Sequence, residues 1–223
     1  MNFTRPVTSY AKVRALVGNL VRNRAAQLRS ARARDLRLLN VGCGPNAHEN
    51  FVNLDYLWHP KIDVCWNLRL GLPFAAGSML GVFSEHCLEH FPLLDAQRLI
   101  REIRRVLAPG GVLRLIVPDG ELYLRTYVQK VDGNKSATFP YPAERFLEGL
   151  DSPILSVNRV FYQDRESPFG HCAMYDYALL ESLLIKEGFV WVRKTAFMQG
   201  CRPSLLIDSE SRQPESLYVE AGL

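Results

Sequence analysis

Leu38-Leu39-Asn40-Val41-Gly42-Cys43-Gly44-Pro45-Asn46, followed by Phe51-Val52-Asn53-Leu54-Asp55, is the stretch that decides the fold. Leu36–Val41 is a short apolar run closed by Gly42 and reads as a buried strand; Phe51–Leu54 reads as a second. Only nine residues, Gly42 to Asn50, join them, fewer than the dozen or so that a full helical crossover needs. The link is therefore expected to be a loop or a single helical turn. Glycines at 42 and 44 allow a tight turn and a close backbone approach, because no Cβ intervenes. In open α/β sheets, ligands sit beyond the carboxyl ends of the strands, where this loop lies.

Working outward, Ile62–Trp66 and Leu80–Phe83 read as a third and a fourth strand. Asp95–Leu107 places Leu99, Ile100, Ile103, Val106 and Leu107 at helical spacing, with Arg and Glu on the opposite face. Pro109-Gly110-Gly111 stops that helix, and Val112–Val117 follows as a fifth strand. Tyr177–Lys186 is a further amphipathic helix ended at Gly188, and Phe189–Phe197 and Ser216–Glu220 are two late β-runs. Strands alternating with helices imply an α/β fold: a mostly parallel sheet with right-handed crossovers, here with an antiparallel C-terminal edge strand. Residues 119–175 break the alternation. They are rich in Tyr, Phe, Pro and Asn without a long period, and are expected to form an irregular ordered insertion, a lid over the ligand edge.

The 223 residues suit one α/β domain, residues 36–223. No apolar run approaches the roughly 20 residues of a membrane span, and the N-terminus lacks the apolar core of a secretory signal. Five cysteines, with no two in a CxxC, argue against a disulfide framework or a thiolate zinc site and point to the cytoplasm.

Residues 1–35 form a basic arm. Between Arg5 and Arg37, nine Lys/Arg residues face the single Asp35, an excess of eight that leaves the rest of a +4 chain at −4. Such an arm could meet nucleic acid or an anionic surface, or serve as a transit peptide. The favoured expectation is a helix packed beside the sheet through Leu16, Val17, Leu20, Val21 and Leu28.

The chemistry-bearing residues follow the strand ends. Asp55 closes the second strand, where an acid can accept both hydroxyls of a ribose. Its distance from the glycines is shorter than the roughly 20 residues of the dinucleotide fingerprint, which counts against an NAD site. His86-Cys87-Leu88-Glu89-His90 spells H-x-x-E-H, an inverted zinc-peptidase signature. The strand before it and Pro92 after it leave room for about two helical turns, too little for that scaffold, so a zinc hydrolase is not favoured and no metal ligand is assigned.

With these residues in place, Leu38–Asp119 resembles the class I S-adenosylmethionine-dependent methyltransferases, closest to a small bacterial group associated with modifying sugars, polysaccharides or secondary products. Four pieces match in order: Asn40-Val41-Gly42-Cys43-Gly44; Asp55; Asn67-Leu68 with Leu72-Pro73-Phe74; and Phe83 through Phe91. Glu102–Gly111, Gly170–Asp176 and Ser216–Glu220 are similar to the same group. The resemblance implies a Rossmann-like sheet and S-adenosylmethionine as cofactor. It implies a cofactor loop of Asn40, Gly42, Cys43, Gly44 and Asn46, a ribose site of Asp55 with Tyr56, and an adenine side of Asn67 and Leu68. Ser84 and Glu85 border the cofactor beyond the fourth strand. The family usually carries acids at the positions of Asn40 and Asn67; each amide oxygen can still accept one hydrogen bond, so weaker cofactor binding is expected.

His86, His90 and His171 are the candidates for touching the acceptor, since methyl transfer asks for positioning and a base. Tyr123, Tyr127, Phe139, Tyr141, Arg159, Phe161, Tyr162 and Tyr175 either line the acceptor pocket or form the insertion's own core. The expected activity is methyl transfer, at oxygen, to a small-molecule or glycan-type acceptor. The alternatives are an RNA methyltransferase holding phosphates with the arm, and a non-catalytic S-adenosylmethionine-binding module.

Overall fold

The computed structural model describes residues 9–24, 36–141, 152–162 and 170–223. Seven strands form one sheet: β1 (Leu38–Val41), β2 (Val52–Asp55), β3 (Val64–Cys65), β4 (Met79–Glu85), β5 (Leu107–Pro118), β6 (Trp191–Lys194) and β7 (Ser216–Gly222). Their spatial order is β3-β2-β1-β4-β5-β7-β6. Pairings from β3 to β5 are parallel, whereas β7 runs antiparallel to both β5 and β6. The late β-runs thus make an antiparallel edge, with β7 inserted between its neighbours. The sheet order reverses between β1 and β4, which opens a crevice at their carboxyl ends.

The β1–β2 link is a loop, as its length dictates. Polar side chains knit it instead of a helix: buried Asn53 accepts from the His48 amide (2.8 Å) and donates to the His48 carbonyl (2.9 Å). Helix α2 (Leu93–Val106) buries Leu99, Ile100, Ile103 and Val106 against the sheet. Helix α5 (Tyr177–Lys186) begins at Asp176, whose side chain accepts from Leu179 N at 2.8 Å. Both belong to the main core with Leu39, Val41, Leu113 and Val219.

Two expectations need correction. The first concerns the stripe of α1 (Ser9–Val21): Leu16 is 62% and Leu20 56% exposed, and Val17 and Val21 are half-buried. Leu28 lies outside the described residues. The helix docks through Gly18, where an added Cβ would stand 3.4 Å from Trp58 Cβ. Two arginines complete the contact: Arg14 donates to the Trp58 carbonyl and Arg22 to that of Tyr56, each at 3.0 Å, and the Arg22 guanidinium lies 3.9 Å from the Tyr56 ring centroid. A missing side chain and two long stems do the packing that the apolar stripe was expected to do.

The second concerns residues 119–175, whose described residues include two helices, α3 (Gly120–Val131) and α4 (Pro153–Tyr162). The buried positions of α3 include Tyr123 and Thr126, so its inward face carries polar atoms and shows no clean apolar period. Tyr123, Phe139, Val157 and Val160 form a small core of their own, and Tyr175 joins the main core. These aromatics are packing residues. The side chains of Phe161 and Tyr162 lie outside what the structure describes.

Candidate cofactor and acceptor site

The loop after β1 turns on two left-handed glycines, Gly42 at φ 68° and Gly44 at φ 50°. A Cβ on Gly42 would stand 2.2 Å from Cys87 Sγ, so the backbone there lies flush against the segment after β4. A Cβ on Gly44 would meet nothing within 4 Å. The loop therefore presents bare backbone to open space beside Asp55. That half-buried carboxylate holds the loop: Oδ2 accepts from Gly44 N (2.8 Å) and Oδ1 from Leu57 N (2.7 Å). Burial raises its pKa above the ordinary value, while the Leu57 and Gly44 amides oppose the rise. Each carboxylate oxygen has further lone pairs for ribose hydroxyls.

The remaining cofactor candidates divide between loop-fixing and exposed positions. Asn40 is buried, and its Nδ2 donates to the Asn46 carbonyl (3.1 Å) and to Asn53 Oδ1 (3.3 Å). Cys43 is buried and its thiol is pushed up, chiefly by that burial. Asn67 caps the 3-10 turn Leu68–Leu70 by accepting from Arg69 N at 3.1 Å, and Leu68 joins the core. Tyr56 is partly exposed under Arg22. Ser84 is buried and donates to the Val41 carbonyl at 3.2 Å, tying β4 to β1.

Glu85 and Asn46 meet on Ser209, a residue with no signal in the sequence. Its amide donates to Glu85 Oε1 (2.9 Å), its hydroxyl donates to Glu85 Oε2, and Asn46 Nδ2 donates to the same hydroxyl oxygen (3.1 Å). The segment carrying Ser209 thus crosses the carboxyl ends of β1 and β4.

Beyond β4 the three histidines come together. His86 sits at φ 47°, a left-handed conformation rare for a side-chain-bearing residue and enriched at functional sites. Its Nε2 is 2.8 Å from Ser216 Oγ and its Nδ1 3.6 Å from Glu89 Oε1. Burial, helped by Arg212, lowers its pKa to about 3, so it is neutral at pH 7. Burial likewise pushes Glu89 up to about 8, so the longer-than-hydrogen-bond contact between the two is a neutral one. His90 and His171 lie edge to face with ring centroids 4.8 Å apart, and His171 Nδ1 is 2.6 Å from the Val160 carbonyl. The H-x-x-E-H residues do not share an α-helical face, because only a 3-10 turn, Leu88–His90, lies within the motif.

Residues 47–115 match the sequence model of the family described as a methyltransferase domain. Over this segment the chain is similar to methyltransferase domains. The matched segment holds Asp55, Asn67 and the residues after β4, and begins just past the glycine loop. A SAM-dependent methyltransferase from Thermotoga maritima is similar to this chain at 17% identity and a TM-score of 0.46, over 83% of this chain and 81% of that one. An S-adenosylmethionine-dependent methyltransferase from Mesorhizobium loti is similar at 18% identity and a TM-score of 0.48, over 88% and 94%. No curated protein matches the chain. Among the described residues, no helix is long and apolar enough to cross a membrane.

Proposed function

We propose that this chain is a methyltransferase that moves the methyl group of S-adenosylmethionine to an oxygen of a small-molecule or glycan-type acceptor. One observation carries this assignment: at a single sheet edge, Asp55 bonded to the bare Gly44 backbone lies on one side, and His86, His90 and His171 converge beyond β4 on the other. The cofactor supplies an electrophilic methyl group when bound. Asp55 would accept the ribose hydroxyls, the Gly42–Asn46 backbone would lie along the cofactor, and Asn67 with Leu68 would border the adenine. His86, held neutral, serves to orient an acceptor hydroxyl, and His90 and His171 flank it. Five free cysteines support a reducing, cytoplasmic setting.

The arm is assigned to packing, since Arg14 and Arg22 already bond the Tyr56–Trp58 loop. The test is calorimetric titration with S-adenosylhomocysteine and with NAD, then transfer of labelled methyl from S-adenosylmethionine to glycan, phenolic and RNA pools. Tight homocysteine-adduct binding with methylated glycan or phenol is expected. Equal affinity for NAD, or label entering RNA alone, overturns the assignment.

A further inference from the structure

Glu89 is 1% exposed, and neither of its carboxylate oxygens has a hydrogen-bond partner among the described residues. Buried polar groups are almost always satisfied, and a carboxyl left without donors needs an explanation. Its surroundings offer one. Glu89, His90 and His171 can each direct one ligand atom so that all of these atoms lie within 4.8 Å of one another. The cluster is assembled by the fold, because Cys172 N and Ala173 N both donate to the Glu89 carbonyl, at 2.7 and 3.2 Å. Those bonds clamp the segment after β4 to the C-terminal end of the insertion.

We infer that Glu89, His90 and His171 form a binding site for one divalent transition-metal ion. Two imidazoles and one carboxylate are a donor set that suits zinc, iron, cobalt and nickel, and that leaves coordination positions open. Two ligand atoms on one such ion, each at about 2.1 Å in a tetrahedral arrangement, stand about 3.4 Å apart, so the widest pair of the cluster has to close by up to about 1.4 Å, within the reach of side-chain rotation. His171 carries the second-shell contact usual for a metal-bound histidine: an Nδ1–H given to the Val160 carbonyl makes Nε2 the nitrogen with the lone pair. The sequence alone assigns no metal here because the third donor lies 81 residues after His90. The ion's role rests on the proposed methyl transfer to oxygen: a hydroxyl bound to it would lose its proton more readily, at the edge where the acceptor is expected.

The test uses the full chain stripped with a chelator and titrated with cobalt(II) chloride, followed by calorimetry and visible absorption. One cobalt per chain with ligand-field bands is expected. Glu89→Gln keeps the shape of the side chain, and His171→Ala changes a partly exposed one; each should weaken binding at least about 100-fold, since even second-shell losses reach that size. His59→Ala, far along the chain from the cluster, should bind cobalt as the parent does. Melting curves establish that each variant is folded. Sub-stoichiometric cobalt in the parent, or affinity unchanged in both variants, overturns the site. S-adenosylhomocysteine titrated into the same samples separates the two ideas. Homocysteine-adduct binding without cobalt binding sinks the metal site alone, and the converse sinks the methyltransferase assignment and leaves the site.

Discussion

Arg114 and Asp208 form a fully buried two-pronged pair, with Nε–Oδ1 at 2.7 Å and Nη2–Oδ2 at 2.5 Å. Arg114 projects from the middle of β5, and it also donates to the Gln199 carbonyl (2.9 Å) and the Ala196 carbonyl (3.0 Å). Glu220 on β7 lies 3.3 Å away. The pair therefore holds the 196–208 segment on the sheet and fixes the place of Ser209, which bonds Glu85 and Asn46.

Asp208→Asn leaves the buried guanidinium with half its charge compensation. Breaking one partner of a buried pair costs about 3–5 kcal/mol, and urea unfolding should show a loss of that size. Affinity for S-adenosylhomocysteine should fall too, because Ser209 loosens. A variant within 1 kcal/mol of the parent, on the order of an exposed pair, would remove this network from the account.

Asp55→Ala deletes a carboxylate that accepts from Gly44 N and is assigned to the ribose. Charged hydrogen bonds contribute about 1.5–3 kcal/mol each, so calorimetry should find S-adenosylhomocysteine bound at least about tenfold more weakly. Undiminished affinity would place the ribose elsewhere.

Gly42 and Gly44 separate two kinds of strain. Both need a left-handed backbone, which costs a Cβ-bearing residue roughly 1–2 kcal/mol, but only at position 42 does the Cβ run into Cys87. Gly42→Ala should be clearly less stable than Gly44→Ala in thermal melts. Equal melting temperatures would contradict the close approach seen here.

Acid stability should report Glu102. Its pKa is lowered from the ordinary 4.5, first by the hydrogen bond from Arg105, and the Leu72 amide also donates to it, at 2.9 Å. A depressed folded-state value means that the unfolded chain binds the proton first as pH falls. The stabilisation is whole above about pH 4.5 and is lost as the pH drops through the lower folded value. Glu102→Gln should lower stability at neutral pH and flatten that acidic part of the curve, measured by unfolding between neutral and acidic pH. A curve of unchanged slope would show that the contact to the Leu72 loop carries no linkage.

How much of this was legible in the sequence depends on how far each signal reaches. Helix Tyr177–Lys186 was readable to the residue, because its cap Asp176, its stripe and Gly188 are all local. The loop between β1 and β2 followed from length alone. By contrast, the 196–208 segment is held by Arg114, and an arginine inside an apolar strand does not announce partners 94 and 106 residues away. The three histidines could be singled out by type, but their meeting with Glu89 is decided by two backbone bonds from Cys172 and Ala173. The exposed Leu16 and Leu20 show the opposite failure: the helical period was present, but Gly18 decided which face docks.

The place of β7 between β5 and β6 sets a timetable for synthesis. Domains fold as they emerge from the ribosome at about 5–20 residues per second, and here the strand translated after all the others fills a gap between two made earlier. Until Ser216–Gly222 arrives, β5 has an unpaired edge seven residues long, from Val112 to Pro118, and β6 has nothing to pair with. Ser216 also brings the hydroxyl that contacts His86. A nascent chain halted before that point therefore carries an open strand edge and a His86 without its Ser216 partner, so the step that protects the sheet from aggregation is the same step that completes the side proposed for the acceptor.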